Sequence, residues 1–255
     1  MLGFLRSLRR KRLLANNSIP DRAWQSLLAT APTLQRLDPS QQARLRELAL
    51  LFLHEKRLEP AGELQLTDAM RLRIAALAVL PILELGLDLY DGFVSVIVYP
   101  GEFVVRNREH IDEAGVVHTA DDVLSGEAWE RGPVVLGWTD VDASGRGDGY
   151  NVVIHEFAHK LDALDGVTNG IPPLHRSMRT RAWSEAFQQA FDRLNAELDR
   201  DEETWLDPYA AESPAEFFAV CVEMFFEVPD TFAARYPEVY GQLAAYFRQD
   251  PAGVT

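Results

Sequence analysis

His155, Glu156 and His159 form the pattern His-Glu-x-x-His inside the run Val152-Val153-Ile154-His155-Glu156-Phe157-Ala158-His159-Lys160-Leu161. An α-helix turns by about 100° per residue, so residues four apart share a face. Both imidazoles then project side by side. Glu156, one residue on from the first, reaches a water held by the same ion. The chemistry this spacing predicts is zinc hydrolysis, with two imidazole ligands and a carboxylate as general base. The neighbours Val153, Ile154, Phe157, Ala158 and Leu161 suit a buried helix, where histidines need partners.

A catalytic zinc takes three protein ligands and keeps a fourth position for water. A metzincin would continue with Gly and a third His, but Asp162 and Asp165 stand at those places. Asp165 is an acceptable ligand without the glycine turn that would deliver it, and His175 is a further alternative. A Glu on a later helix is the gluzincin solution. Glu216 and Glu223 are seven residues apart, so both fall on roughly one face of a helix over 213–227. Glu212 lies just outside it. Glu216 has a competing structural use, closing a capping box with Ser213.

The elements that must position these residues are legible in outline. Residues 19–58 read as helical, with Asp38-Pro39-Ser40 opening a second helix. Thr67 caps a helix expected over 68–85, with Gly86 as its stop. From Phe93 the period changes to that of strands: Phe93–Tyr99, Glu102–Val105 and Val134–Val141, with a polar loop over 106–132. Asp142 to Gly149 reads as a flexible loop able to act as a gate, and Asn151 as the cap of the His-Glu-x-x-His helix. Trp183, Phe187, Phe191 and Leu194 mark an amphipathic helix over 177–200. Ser213-Pro214-Ala215-Glu216 opens another, which Pro229 stops, and a final packed helix follows.

Two stretches resemble one known family. Asn151-Val-Val-Ile-His-Glu-Phe-Ala-His-Lys-Leu-Asp162 and Tyr209-Ala-Ala-Glu-Ser-Pro-Ala-Glu-Phe-Phe-Ala-Val220 look like the Mlc titration factor A family, as does Gly132-Pro-Val-Val-Leu-Gly-Trp138. These are bacterial zinc-dependent peptidases whose catalytic domain is similar to that of anthrax lethal factor. The resemblance implies an α+β, zincin-like metallopeptidase domain. It has a small mixed sheet, an active-site helix and mostly helical N- and C-terminal parts. It implies one zinc per chain, held by His155, His159 and Glu216, with Glu156 as the catalytic base. The step from Tyr209 to Glu216 resembles the lethal factor site, which marks Tyr209 as an oxyanion donor. The resemblance further implies a peptide substrate, aminopeptidase-type action on small substrates, and a transcriptional repressor, Mlc, as protein partner. The alternative is a regulatory binding protein that sequesters the repressor, with peptidase activity secondary.

Composition sets the outer bounds. The 255 residues divide into a helical region over 1–92 packed on a catalytic region over 93–255, expected to form one compact unit. With 39 acidic against 25 basic residues the net charge is −14, which argues against direct nucleic-acid binding. No stretch of 18 apolar residues predicts a transmembrane helix. The single cysteine, Cys221, excludes an internal disulfide and a thiolate zinc cluster and is compatible with a cytoplasmic location. Residues 1–14 hold Arg6, Arg9, Arg10, Lys11 and Arg12 and no acid, and read as a basic surface helix or a membrane or partner contact. If Val134–Val141 is an edge strand, an extended peptide can add to it.

Overall fold

A computed structural model describes residues 2–101, 103–111, 117–124, 126–128 and 132–253. The fold is α+β and mostly helical, with a four-stranded sheet and a separate two-stranded one among the described residues. The N-terminal part holds α1 (Leu2–Asn16), α2 (Asp21–Thr30), α3 (Pro32–Gln35), α4 (Pro39–Glu55), β1 (Arg57–Pro60) and α5 (Asp68–Val79). The strands β2 (Ser95–Tyr99), β3 (Phe103–Ile111), β4 (Val117–Leu124), β5 (Gly126–Ala128) and β6 (Val134–Gly137) follow. The remainder is α6 (Trp138–Ala143), α7 (Val152–Asp162), α8 (Thr180–Leu198), α9 (Pro214–Glu227), α10 (Pro229–Arg235) and α11 (Pro237–Phe247).

The sheet runs in the order β1-β2-β6-β5. The first three strands are parallel, with Leu58 beside Val96 and Val96 beside Val134, and β5 joins β6 antiparallel. All four residues of β6 are buried, as befits a short apolar strand with neighbours on both sides. The sheet is shared: β1 comes from the 1–92 part and the other three strands from the 93–255 part.

Several sequence expectations change. The strand expected over Val134–Val141 stops at Gly137, and Trp138 opens α6. It is not an edge, since β2 and β5 flank it. The helix expected over 68–85 ends at Val79, because Pro81 has no N–H to continue the ladder. Residues 57–58, read as helical, belong to β1. Of the loop expected over 106–132, residues 103–111 and 117–124 form an antiparallel hairpin; Glu102 and residues 112–116, 125 and 129–131 lie outside the described residues. The final helix is two helices, divided at Tyr236 by Pro237. Arg10 ties α1 to Glu55 at 2.7 Å and to Asp88 at 2.6 Å, and Arg6 pairs with Asp91.

Beneath α7 lies an aromatic cluster. The Phe157 ring centroid is 5.0 Å from Tyr90 and 5.7 Å from both Phe52 and Phe93. Burying one such side chain stabilises by about 1.5–3 kcal/mol. Phe157 is two residues from His155, about 200° around the helix, so anchoring it turns both histidines to the opposite side. A second aromatic group, with Trp183 stacked 4.4 Å from Phe187 and 5.9 Å from Phe218, packs α8 against α9.

Candidate metal centre

Asn151 caps α7, its side chain accepting from the Ile154 N–H at 3.1 Å. Ser213 caps α9, its hydroxyl accepting from the Glu216 N–H at 3.2 Å, with Pro214 in the first turn. The Glu216 carboxylate is turned to the imidazoles of α7. Its Oε2 lies 3.0 Å from His155 Nε2 and 3.2 Å from His159 Nε2, and the two Nε2 atoms are 3.2 Å apart. Three donor atoms thus close a near-equilateral triangle, the arrangement of a metal-ligating group. Both histidines are only 9 % exposed.

The sequence left Glu216 and Glu223 on one face; the geometry separates their contacts. Glu223 Oε1 lies 2.8 Å from His155 Nδ1 and its Oε2 accepts from the Asn151 N–H at 2.6 Å. Glu223 therefore fixes the ring that Glu216 meets from the other nitrogen, as carboxylates behind metal-ligating histidines do. The other two alternatives are elsewhere. Asp165 sits in an exposed 3-10 turn and accepts from the Val167 N–H at 3.2 Å, and His175 Nε2 faces the Tyr246 carbonyl at 2.7 Å.

Electrostatics follow from this packing. Burial alone raises the Glu216 pKa, but hydrogen bonds with His155 and His159 outweigh it and hold the carboxyl well below its usual range. Burial opposes a proton on His155, while Glu216 and Glu223 favour it and push the imidazole well above its ordinary value.

Glu156 is buried, 3 % exposed, and lines a cleft of about 610 Å³ together with His155. Asp148, Tyr150, Trp205, Tyr209 and Met224 form other parts of its wall. The Tyr209 ring is 6.0 Å from the His155 ring. Burial and the nearby carboxylates of Glu216 and Glu212 raise its pKa, so the phenol keeps its proton. A larger cavity of about 810 Å³, between α2 and α5, includes none of the triad.

Two features escaped the sequence reading. Glu227, fully buried, accepts from Asn151 Nδ2 at 2.7 Å and from the Gly147 N–H at 2.7 Å. Its signal was present: acids at 216, 223 and 227 on an otherwise apolar helix step by seven and four, keeping one face. The loop expected to move as a gate is also tethered. Besides the Glu227 bond, the Gly145 carbonyl accepts from the Thr33 N–H at 3.4 Å, and Arg73 Nη2 donates to the Ser144 carbonyl at 2.6 Å.

A helix-borne His-Glu-x-x-His sequence joined by a Glu from a second helix is the site of a metallopeptidase class. Residues 5–248 match the family described as glucose-regulated metallo-peptidase M90, and the chain belongs to it. It is 41 % identical over 230 residues to Mlc titration factor A of Klebsiella pneumoniae strain 342, spanning 89 % of this chain and 86 % of that protein. With Mlc titration factor A of Pectobacterium atrosepticum the identity is 42 % over 244 residues, 92 % of this chain and 91 % of the relative. Mlc titration factor A of Serratia proteamaculans strain 568 is 43 % identical over 232 residues, covering 89 % and 87 %. Among the described residues, no helix is long and apolar enough to cross a membrane.

Proposed function

We propose that the chain is a zinc-dependent, gluzincin-like peptidase acting as an aminopeptidase on small substrates, with the 1–92 and 93–255 parts serving as one zincin-like catalytic unit in the cytoplasm. The observation that carries this reading is the triangle of His155, His159 and Glu216. Zinc bonds of about 2.0–2.1 Å at tetrahedral angles separate donor atoms by roughly 3.3 Å. The triangle's edges of 3.0–3.2 Å are close to that. Two imidazoles and one carboxylate are also the donor set of catalytic zinc sites. One zinc per chain would polarise the substrate carbonyl and acidify a water at neutral pH.

The chain's own residues do the rest. Glu156 takes a proton from the water as its oxygen bonds to the carbonyl carbon. It then delivers that proton to the amine nitrogen as the C–N bond breaks. Tyr209, protonated and beside His155, donates a hydrogen bond to the developing oxyanion. The carboxylate of Glu223 holds His155 at Nδ1, which leaves Nε2 directed at the Glu216 side of the site and keeps the ring from turning.

Glu156→Gln is expected to keep zinc and lose hydrolysis of small aminoacyl arylamides. Turnover at the wild-type rate in that variant would sink the general-base role.

The name of the relatives, Mlc titration factor A, supports a second activity, binding of an Mlc-type repressor. In this reading sequestration is the main role and peptidase activity secondary. Capture of purified repressor by the inactive Glu156→Gln variant separates the two; absence of capture removes the binding reading and leaves the enzyme.

A further inference from the structure

We infer that Gly170 is a positioning residue, a spacer that sets the distance between α7, with its two histidines, and the start of α9, with Glu216. The inference rests on the metal-site reading. Gly170 is buried in the segment between α7 and α8. Its N–H donates to Asp162 Oδ2 at 2.8 Å, and its carbonyl accepts from Trp183 Nε1 at 2.9 Å. Asp162 closes α7 three residues after His159. One glycine is thereby fastened to α7 through its nitrogen and to α8 through its oxygen.

The third contact is steric. A Cβ at Gly170 would lie 2.4 Å from the Pro214 carbonyl oxygen and 3.1 Å from its carbon. Pro214 is the first residue of α9, two before Glu216. The obstacle is backbone, so no side chain can rotate out of the way. The backbone φ of +77° adds a second reason for glycine. To admit a methyl group, the Pro214 carbonyl must retreat by roughly 0.6 Å even for a tight 3.0 Å approach. Metal–ligand distances tolerate about 0.2 Å. The far half of α9 is held back from the shift by the bonds of Glu223 and Glu227 to Asn151. The displacement therefore falls on the end that carries Glu216.

The test is a double-mutant cycle on zinc affinity, read by chelator competition on the full chain. Gly170→Ala is expected to weaken zinc binding at least tenfold. In a Glu216→Ala background the same substitution is expected to change affinity less than twofold, since the displaced ligand is already gone. Leu243→Ala in α11, a buried position that makes no contact named at the triad, serves as a stability control and is expected to leave zinc affinity of the folded protein unchanged. Wild-type affinity in Gly170→Ala overturns the spacer, as does an equal loss in both backgrounds. A wild-type chain that binds no zinc removes the site reading and the spacer with it. Should Gly170→Ala not fold, Trp183→Phe releases the glycine carbonyl while keeping an aromatic ring. It must then weaken zinc three- to tenfold in wild type and not in Glu216→Ala; no loss in wild type overturns the spacer.

Discussion

The two ends of α7 are fixed by opposite means. At the start, Asn151 is gripped by two carboxylates of α9: Glu223 takes its N–H and Glu227 its side-chain amide. At the finish, Asp162 holds Gly170 against the Pro214 carbonyl, and shape does the work. The polar end also supports chemistry, because Glu223 reaches on to His155 Nδ1. The steric end sets only spacing. Hydrogen bonds yield over a few tenths of an ångström; a methyl group against a backbone carbonyl does not. Variants at the first end should therefore alter the character of the histidines, and variants at the second should move Glu216.

The largest expected effect is at the polar end. Glu223→Ala strips partners from a buried N–H and a buried imidazole nitrogen at once, for a stability loss of about 3–5 kcal/mol in urea denaturation. Zinc affinity is expected to fall roughly 10–100-fold as His155 loses its orienting carboxylate. A Glu223→Ala chain that kept wild-type zinc affinity would make that end purely structural and erase the contrast.

The next effect is a pH dependence at the steric end. Burial pushes the Asp162 carboxyl up to about 6, against opposing pulls from the Gly170 N–H and from His159. The unfolded chain gives up this proton at lower pH. The contribution of Asp162 to stability is therefore fully present below about pH 4 and is lost as pH rises through 6. In metal-free protein, the stability of wild type relative to Asp162→Asn is expected to fall by about 2 kcal/mol from pH 4 to pH 7. A difference that stays constant across this range would mean the carboxylate is well solvated and the steric end is not dry.

What the sequence made legible was local. The caps Asn151 and Ser213 and the helices they open depend on residues within three or four positions, and the structure has them where expected. The triad was readable as spacing within each helix, but its closure depends on how α7 and α9 approach, which periodicity does not encode. That is why helical spacing alone left Glu216 and Glu223 equivalent, and only the family resemblance singled out Glu216 before their contacts divided them between the two nitrogens of His155. The misreadings share a cause. Trp138–Val141 continues an apolar run that suits a strand, yet tertiary context turns it into α6. Arg57–Pro60 has one buried residue, and its partner strand begins at Ser95, so nothing nearby announces β1. The Gly170 contacts draw on residues 162, 170, 183 and 214, four positions no local pattern connects.

Both ends of α7 matter only if the three side chains between them and on α9 hold one ion. The most direct measurement is zinc content and affinity of wild type beside Glu216→Ala. One zinc per wild-type chain, with affinity falling by more than the roughly 100-fold seen for outer partners when Glu216 is removed, is the expected result. Undiminished zinc affinity in Glu216→Ala would contradict it and place the third ligand elsewhere.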